Sequence, residues 1–292
     1  MSLEMNGLTV TLQKGGVGKT TIATNLAERL AARGHDVLLV DLDPQGSATE
    51  ALGCGDAYAA QTHLKHLLEP DDPTTASDLV RSETGSWGID LVPSNAALHQ
   101  VSATIQTTDN GEALIHNELV RPLSDQYDWI IFDSPPTIGP LANAALVATR
   151  RVVFPVQLSK PSADALVRTV TNQLFPLNGR LPDPVEILAI VPNRVKGDTE
   201  EQRVLEALED SQFAQYLPDF ARSSQYDRED SPGPGIRERI AFRRAYRDGV
   251  SLAAHDSTVD MLERFDSLAA LAETAVETET MKGDFRSKRP VE

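Results

Sequence analysis

Short runs of apolar, often β-branched residues alternate along this chain with stretches in which apolar side chains recur every three or four positions. Six runs read as strands, at residues 8–12, 37–42, 89–92, 129–133, 152–156 and 187–191. Several are almost continuously apolar, the pattern of strands covered on both faces. Helices are predicted over residues 20–33, 112–123, 163–174, 200–209 and 258–276. In the first, Ile22, Leu26 and Leu30 fall on one face, and Gly34 supplies the stop. The alternation predicts an α/β fold, a mostly parallel twisted sheet with helices on both faces, whose first β-α-β unit has its loop at residues 13–19. Segments 53–62 and 69–77 carry no regular pattern. Ser223–Gly235, rich in Ser, Asp, Pro and Gly, is predicted to be a mobile loop. Residues 1–276 are expected to form one domain, and the polar stretch 277–292 a disordered tail.

Composition sharpens this picture. At 292 residues and 40% hydrophobic content the chain can bury one large core. It holds no run of the ~18–20 apolar residues that a span needs and no leader pattern at its start, so a soluble, cytoplasmic protein is expected. Cys54 is the only cysteine, which excludes an intrachain disulfide and a multi-cysteine zinc site. The net charge is −16, which taken alone argues against nucleic-acid binding. Yet the basic residues are 20 Arg and 7 Lys, and acid excess with scarce lysine is the pattern of a salt-adapted proteome. In molar salt the Debye length falls to about 3 Å, so local clusters outweigh the global charge.

The segment Gln13-Lys14-Gly15-Gly16-Val17-Gly18-Lys19-Thr20-Thr21 lies between a strand and a helix, where a phosphate-binding loop must sit. Glycines let the backbone wrap a phosphate with its N–H groups pointing inward, and the helix N-terminus adds a positive dipole. Lys19 is placed to reach the β- and γ-phosphates of ATP, and the Thr20 hydroxyl to ligate Mg²⁺. Where the ordinary loop has its first glycine stands Gln13, and a lysine, Lys14, opens the loop instead. Asp133 ends an apolar strand and precedes Pro135-Pro136, a position from which a carboxylate can hold Mg²⁺ through water. Asp41 and Asp43, two apart at the end of the second strand, are expected to face opposite ways and to do different work.

With these motifs the chain resembles the ParA family of partitioning ATPases, within the wider ParA/MinD group of deviant P-loop proteins. Three further blocks carry the likeness: Val37 to Gly46 is similar to the second strand and switch I, Trp129 to Pro136 to the Walker B strand and switch II, and Val191-Pro192-Asn193-Arg194 to the segment that reads adenine. The resemblance implies a three-layer P-loop NTPase fold and slow ATP hydrolysis. It assigns Asp43 to orienting the attacking water, Asp41 to the surroundings of the metal and Thr20, and Asn193 to adenine. Lys14 would cross into the nucleotide site of a second subunit, so that an ATP-bound homodimer sandwiches two nucleotides. Such a dimer would bind double-stranded DNA non-specifically on the nucleoid, and a ParB-like centromere-binding protein would stimulate hydrolysis.

Arginines concentrate at residues 236–247, where Arg239, Arg243 and Arg247 recur every fourth position and Arg237 stands nearby; one helical face carrying such a stripe fits phosphate contacts along DNA. Three rivals remain open from sequence. A MinD-like membrane-cycling protein needs an amphipathic basic and apolar C-terminus, which 277–292 lacks. A positioning ATPase for a non-DNA cargo keeps the same motifs. A metallocofactor-assembly ATPase would usually carry paired cysteines. The six histidines form no catalytic or metal pattern, although His63 and His66 are spaced to meet on a helix.

Overall fold

The computed structural model describes residues 5–82 and 84–287, with residues 279–287 described by backbone alone. Seven parallel strands form one sheet in the order β3-β2-β4-β1-β5-β6-β7: β1 Asn6–Val10, β2 Val37–Asp41, β3 Asp90–Val92, β4 Trp129–Asp133, β5 Arg151–Val156, β6 Glu186–Val195 and β7 Ile236–Arg237. The helices are α1 Lys19–Ala32, α2 Ser47–Ala51, α3 Leu64–Leu67, α4 Leu98–Thr107, α5 Pro140–Thr149, α6 Lys160–Thr169, α7 Phe175–Asn178, α8 Thr199–Glu209, α9 Ile240–Asp248, α10 Leu252–His255 and α11 Leu262–Ser287.

Strand alternation splits the core in two. In β4, Trp129 and Ile131 join a cluster on one face with Leu26 and Leu30 of α1 and Phe265 and Leu268 of α11, while Ile130 and Phe132 join Val101 of α4 and Leu141 and Ala145 of α5 on the other. This is the expected three-layer arrangement. The order also places β1 beside β4, and the connections from their carboxyl ends, through α1 and α5, run to opposite faces, which opens the crevice where open α/β sheets take their ligands. Gly7 matters at the centre of this sheet: a Cβ there would stand 2.8 Å from the Thr149 Cα, so only glycine lets the end of α5 lie on β1. The Thr9 and Thr149 hydroxyls pair beside it at 2.8 Å.

All six predicted strands are present within a few residues. The predicted helix at 112–123 forms instead as two 3₁₀ turns flanking a π-helical run, Ile115–Val120. The helix at 163–174 begins earlier, at Lys160, and widens to π geometry over Val170–Leu174 just before Pro176, which has no N–H to give the preceding turn. The last helix begins at Leu262, four residues later than expected, and its backbone continues to Ser287, into the stretch expected to be a disordered tail; residues 288–292 lie outside the described residues. Nor is Ser223–Gly235 loose: Arg264 donates to Ser231 Oγ at 2.9 Å and Gly233 O at 3.1 Å, and Ser231 donates to Gln225 Oε1 at 2.8 Å. No helix among the described residues is long and apolar enough to cross a membrane.

Candidate nucleotide site and the arginine-rich segment

The loop at residues 13–19 leaves the end of β1 and enters α1, with Gly16 and Gly18 in left-handed backbone (φ 75° and 89°). No side chain caps α1 and no acidic residue occupies its first turn, so the helix presents free N–H groups to an anion. The floor of the loop is Asn193. It is buried at the end of β6, its carboxamide donates to Val17 O at 2.7 Å, and a Cβ on Gly18 would lie 2.0 Å from its Nδ2. Its visible work is therefore to brace the loop. Arg194, in left-handed backbone, donates to Gly16 O at 3.0 Å.

Lys19 is buried, with its ammonium 3.4 Å from Lys14 O. Burial lowers its pKa, and the carboxylates of Asp133 and Asp43 oppose that shift. Among the described residues the Lys14 ammonium reaches only Ser159 Oγ, at 3.5 Å. Thr20 donates to Asp133 Oδ2 at 2.6 Å. Asp133 is fully buried, its other oxygen has no hydrogen-bond partner among the described residues, and burial, then the neighbouring Asp41, push its pKa well above the usual range. A buried carboxylate with a free oxygen, touching a threonine hydroxyl beside a phosphate loop, fits a hard divalent cation with oxygen ligands. Thr20 and Asp133 would hold it, and the ion would neutralise phosphate charge.

Asp41 and Asp43 have different hydrogen-bond partners. Asp41 Oδ2 accepts from both Thr49 N and Thr49 Oγ1 at 2.8 Å, and Oδ1 accepts from Asp43 N at 3.2 Å. Burial pushes its pKa up to about 6, against these hydrogen bonds. With both oxygens engaged, Asp41 ties α2 to the end of β2, which leaves Thr20 and Asp133 as the residues that would hold a cation. Asp43 is half-buried and accepts from Gln45 N at 3.0 Å, which shapes the turn after the strand.

The arginine-rich segment departs from its expectation. Arg237 belongs to β7, and its guanidinium donates to Pro232 O and Lys196 O. Arg239 precedes α9 in extended backbone and is ion-paired with Asp260, so it shares no helical face with Arg243 and Arg247. Arg247 pairs with its neighbour Asp248 at 2.8 Å. The short strand ends where β6 offers Asn193 and Val195 as partners for Ile236 and Arg237, and sheet pairing overrides the helical spacing there. Among the described residues Arg243 and Arg244 are exposed and make no ion pair; the four-residue spacing passed over Arg244.

Two other features lie apart from this site. A cavity of about 620 Å³ opens between residues 105–113, the start of α5 and Arg180, and none of the predicted site residues lines it. The rings of His63 and His66 lie 4.3 Å apart, tilted by 50°, and ligand atoms of His66, Glu69 and Asp72 lie within 4.8 Å of one another, a grouping the sequence did not suggest. Glu69 pairs with Lys65 at 3.0 Å, and Asp72 accepts from Thr74.

Fold and loop together define a P-loop protein of the nucleotide-binding class. The AAA domain family matches residues 5–177, more than half of the chain. The chromosome-partitioning ATPase Soj of Thermus thermophilus is 33% identical over 78% of this chain and 91% of its own length. The maintenance of carboxysome distribution protein A of Synechococcus elongatus is 31% identical over 85% and 92%. Alignment with the sporulation initiation inhibitor protein Soj of Bacillus subtilis, at 38% identity, takes in 51% of this chain and only 57% of that protein. Among solved structures, the ATP complex of a Cyanothece McdA variant matches with a TM-score of 0.75 at 22% identity, covering 94% of this chain and 97% of that one, which is a likeness of fold. The chain belongs to the AAA domain family and, within it, to the ParA-family partitioning ATPases.

Proposed function

We propose that this protein is a cytoplasmic partitioning ATPase that binds ATP with Mg²⁺ at residues 14–21, hydrolyses it slowly, and switches between a monomer and an ATP-bound homodimer. One observation carries this reading: the Thr20 hydroxyl held at 2.6 Å by Asp133, whose second oxygen is buried and unpartnered, directly beside Lys19 and an uncapped helix N-terminus. Phosphoryl transfer needs positioned groups and compensated charge more than covalent participation by protein. Lys19 supplies the compensating charge, Thr20 and Asp133 hold the cation, Asp43 orients the attacking water, and Gly15, Gly16, Val17, Gly18, Thr20 and Thr21 offer backbone N–H groups. Asn193 fixes the loop height from below and borders the adenine. Lys14 reaches the phosphates of a second subunit, which makes ATP a condition of dimerisation.

The dimer then binds duplex DNA without sequence preference through the exposed arginines of α9, Arg243 and Arg244, with Arg247 at its end. A ParB-like partner stimulates hydrolysis and is carried as cargo in segregating a plasmid or chromosome. A second reading keeps the switch and changes the cargo to a protein assembly. It is favoured by the 85% alignment with a relative named for carboxysome distribution. ATP turnover and light scattering, measured with and without duplex DNA, test the first reading. Turnover without any ATP-dependent gain in mass would defeat the dimer switch, and an ATP dimer that ignores duplexes at every salt concentration would favour the second reading.

A further inference from the structure

Helix α9 is fastened at both ends to the nucleotide site, by contacts that the sequence motifs do not announce. At its C-terminal end, the Tyr246 hydroxyl donates to Glu50 Oε2 at 2.8 Å. Glu50 lies in α2, the helix that follows switch I, and the next residue back, Thr49, is the one gripped by Asp41 at the end of β2. Burial and the Glu50 carboxylate push the Tyr246 phenol up to about 12, so it stays a donor throughout the physiological range. The backbones also meet here. A Cβ on Gly249 would lie 3.1 Å from the Gly53 Cα, and Trp87 Nε1 donates to Gly249 O at 3.3 Å. Just before the N-terminal end, Glu238, two residues ahead of the helix, pairs with Arg194 at 3.3 Å, and the same guanidinium holds Gly16 O of the phosphate loop.

The helix bearing the free arginines is thus bolted to the phosphate loop at one end and to the segment behind switch I at the other. A shift of α2 relative to β2 cannot leave α9 in place unless the Tyr246–Glu50 bond breaks. We propose that α9 is a nucleotide-responsive element, and that Tyr246 is the positioning residue through which Glu50 and the switch I side of the site set its placement. This rests on the reading of residues 14–21 as the nucleotide site and of α9 as the DNA-facing helix. A charge-assisted hydrogen bond that forms in one state only is of the size that couples two sites by about tenfold.

The test compares the full chain with Tyr246→Phe, Glu50→Gln and the double variant, measuring amide hydrogen exchange over residues 240–249 with and without ATP and Mg²⁺. In the wild type the nucleotide should change exchange in α9 by about tenfold. In Tyr246→Phe that nucleotide-dependent difference should collapse while ATP affinity stays unchanged, and the double variant should lose no more than either single one. Glu238→Gln, which loosens the other end, should reduce the difference only in part. A purely structural bond would instead raise exchange equally in both states and leave the difference intact, which overturns the proposal. So does a wild type whose α9 ignores nucleotide. Duplex affinity measured on the same samples reports separately on the DNA reading, because exchange needs no DNA to be present.

Discussion

The carboxyl edge of the sheet and the arginine-rich segment are both rich in charge, but they treat it in opposite ways. At the sheet edge Asp41, Asp133 and Lys19 are all buried, and one carboxylate oxygen is left unpartnered. Such burial is costly, and it persists where a ligand will complete the site. In the arginine-rich segment the charges are mostly exposed or neutralised within the chain, as Arg239 is by Asp260 and Arg237 by two backbone carbonyls. The first region keeps opposite charges buried and close together. The second is built to hold its own shape, with only Arg243 and Arg244 left over.

That contrast can be broken by substitution. The largest effect is expected from Lys19→Ala, which removes the buried compensating charge and should lower ATP turnover at least about 100-fold; near-normal turnover would mean that the loop does not hold phosphate. Next come Asp43→Ala and Lys14→Ala. The first should keep ATP affinity and accumulate a dimer that cannot reset, and the second should bind nucleotide as a monomer with impaired hydrolysis, both read by light scattering with ATP and Mg²⁺. A monomeric Asp43→Ala protein, or a Lys14→Ala protein that dimerises normally, sinks the sandwich.

The arginines sharpen the comparison from the other side. Arg243→Ala with Arg244→Ala should reduce the slope of log affinity for duplex DNA against log salt by roughly 2, without altering the urea midpoint. Arg237→Ala should do the reverse, costing about 1 kcal/mol of stability through the orphaned carbonyls of Lys196 and Pro232 while the salt slope holds. An unchanged slope in the double variant would move the DNA surface elsewhere. The smallest effect concerns Glu273, whose carboxyl is held below its ordinary value of 4.5 first by Arg33 and then by His35. Because the folded pKa is depressed, its contribution is present above the unfolded value and fades as pH falls through the folded one. Glu273→Gln should therefore cost less than about 1 kcal/mol at neutral pH and nothing in acid, as followed by thermal melting at both pH values.

The loop between β1 and α1 was legible because its pattern is local in sequence. Nine consecutive residues, 13–21, carry the loop, and the carboxylates follow strands whose apolar runs are hard to misread. The sheet was legible for the same reason, since buried parallel strands announce themselves by composition. What escaped was decided by partners distant along the chain. Ile236-Arg237 carried no strand signal and became a strand because β6 runs past it. The run from Pro140 to Thr149 is so evenly apolar, buried against β1 and the opposite core, that it shows no amphipathic period. Asn193 was assigned to adenine by resemblance, and its contact with Val17 O was invisible until the end of β6 was seen beneath the loop. The Tyr246–Glu50 bond spans 196 positions, beyond the reach of any spacing rule.

The close seat of α5 on β1 carries one more consequence. Gly7 admits the Thr149 backbone against the strand, and the hydroxyls of Thr9 and Thr149 lock the two together, so the rear of α5 is pinned to the middle of the sheet. The front of the same helix, Pro140, directly follows the Ser134 to Gly139 segment that leaves Asp133 at the end of β4. A rod pinned at one end can swing but cannot slide. Any rearrangement of that segment would therefore sweep the front of α5 through an arc about Thr149, and a bulkier residue at position 7 would take away the pivot.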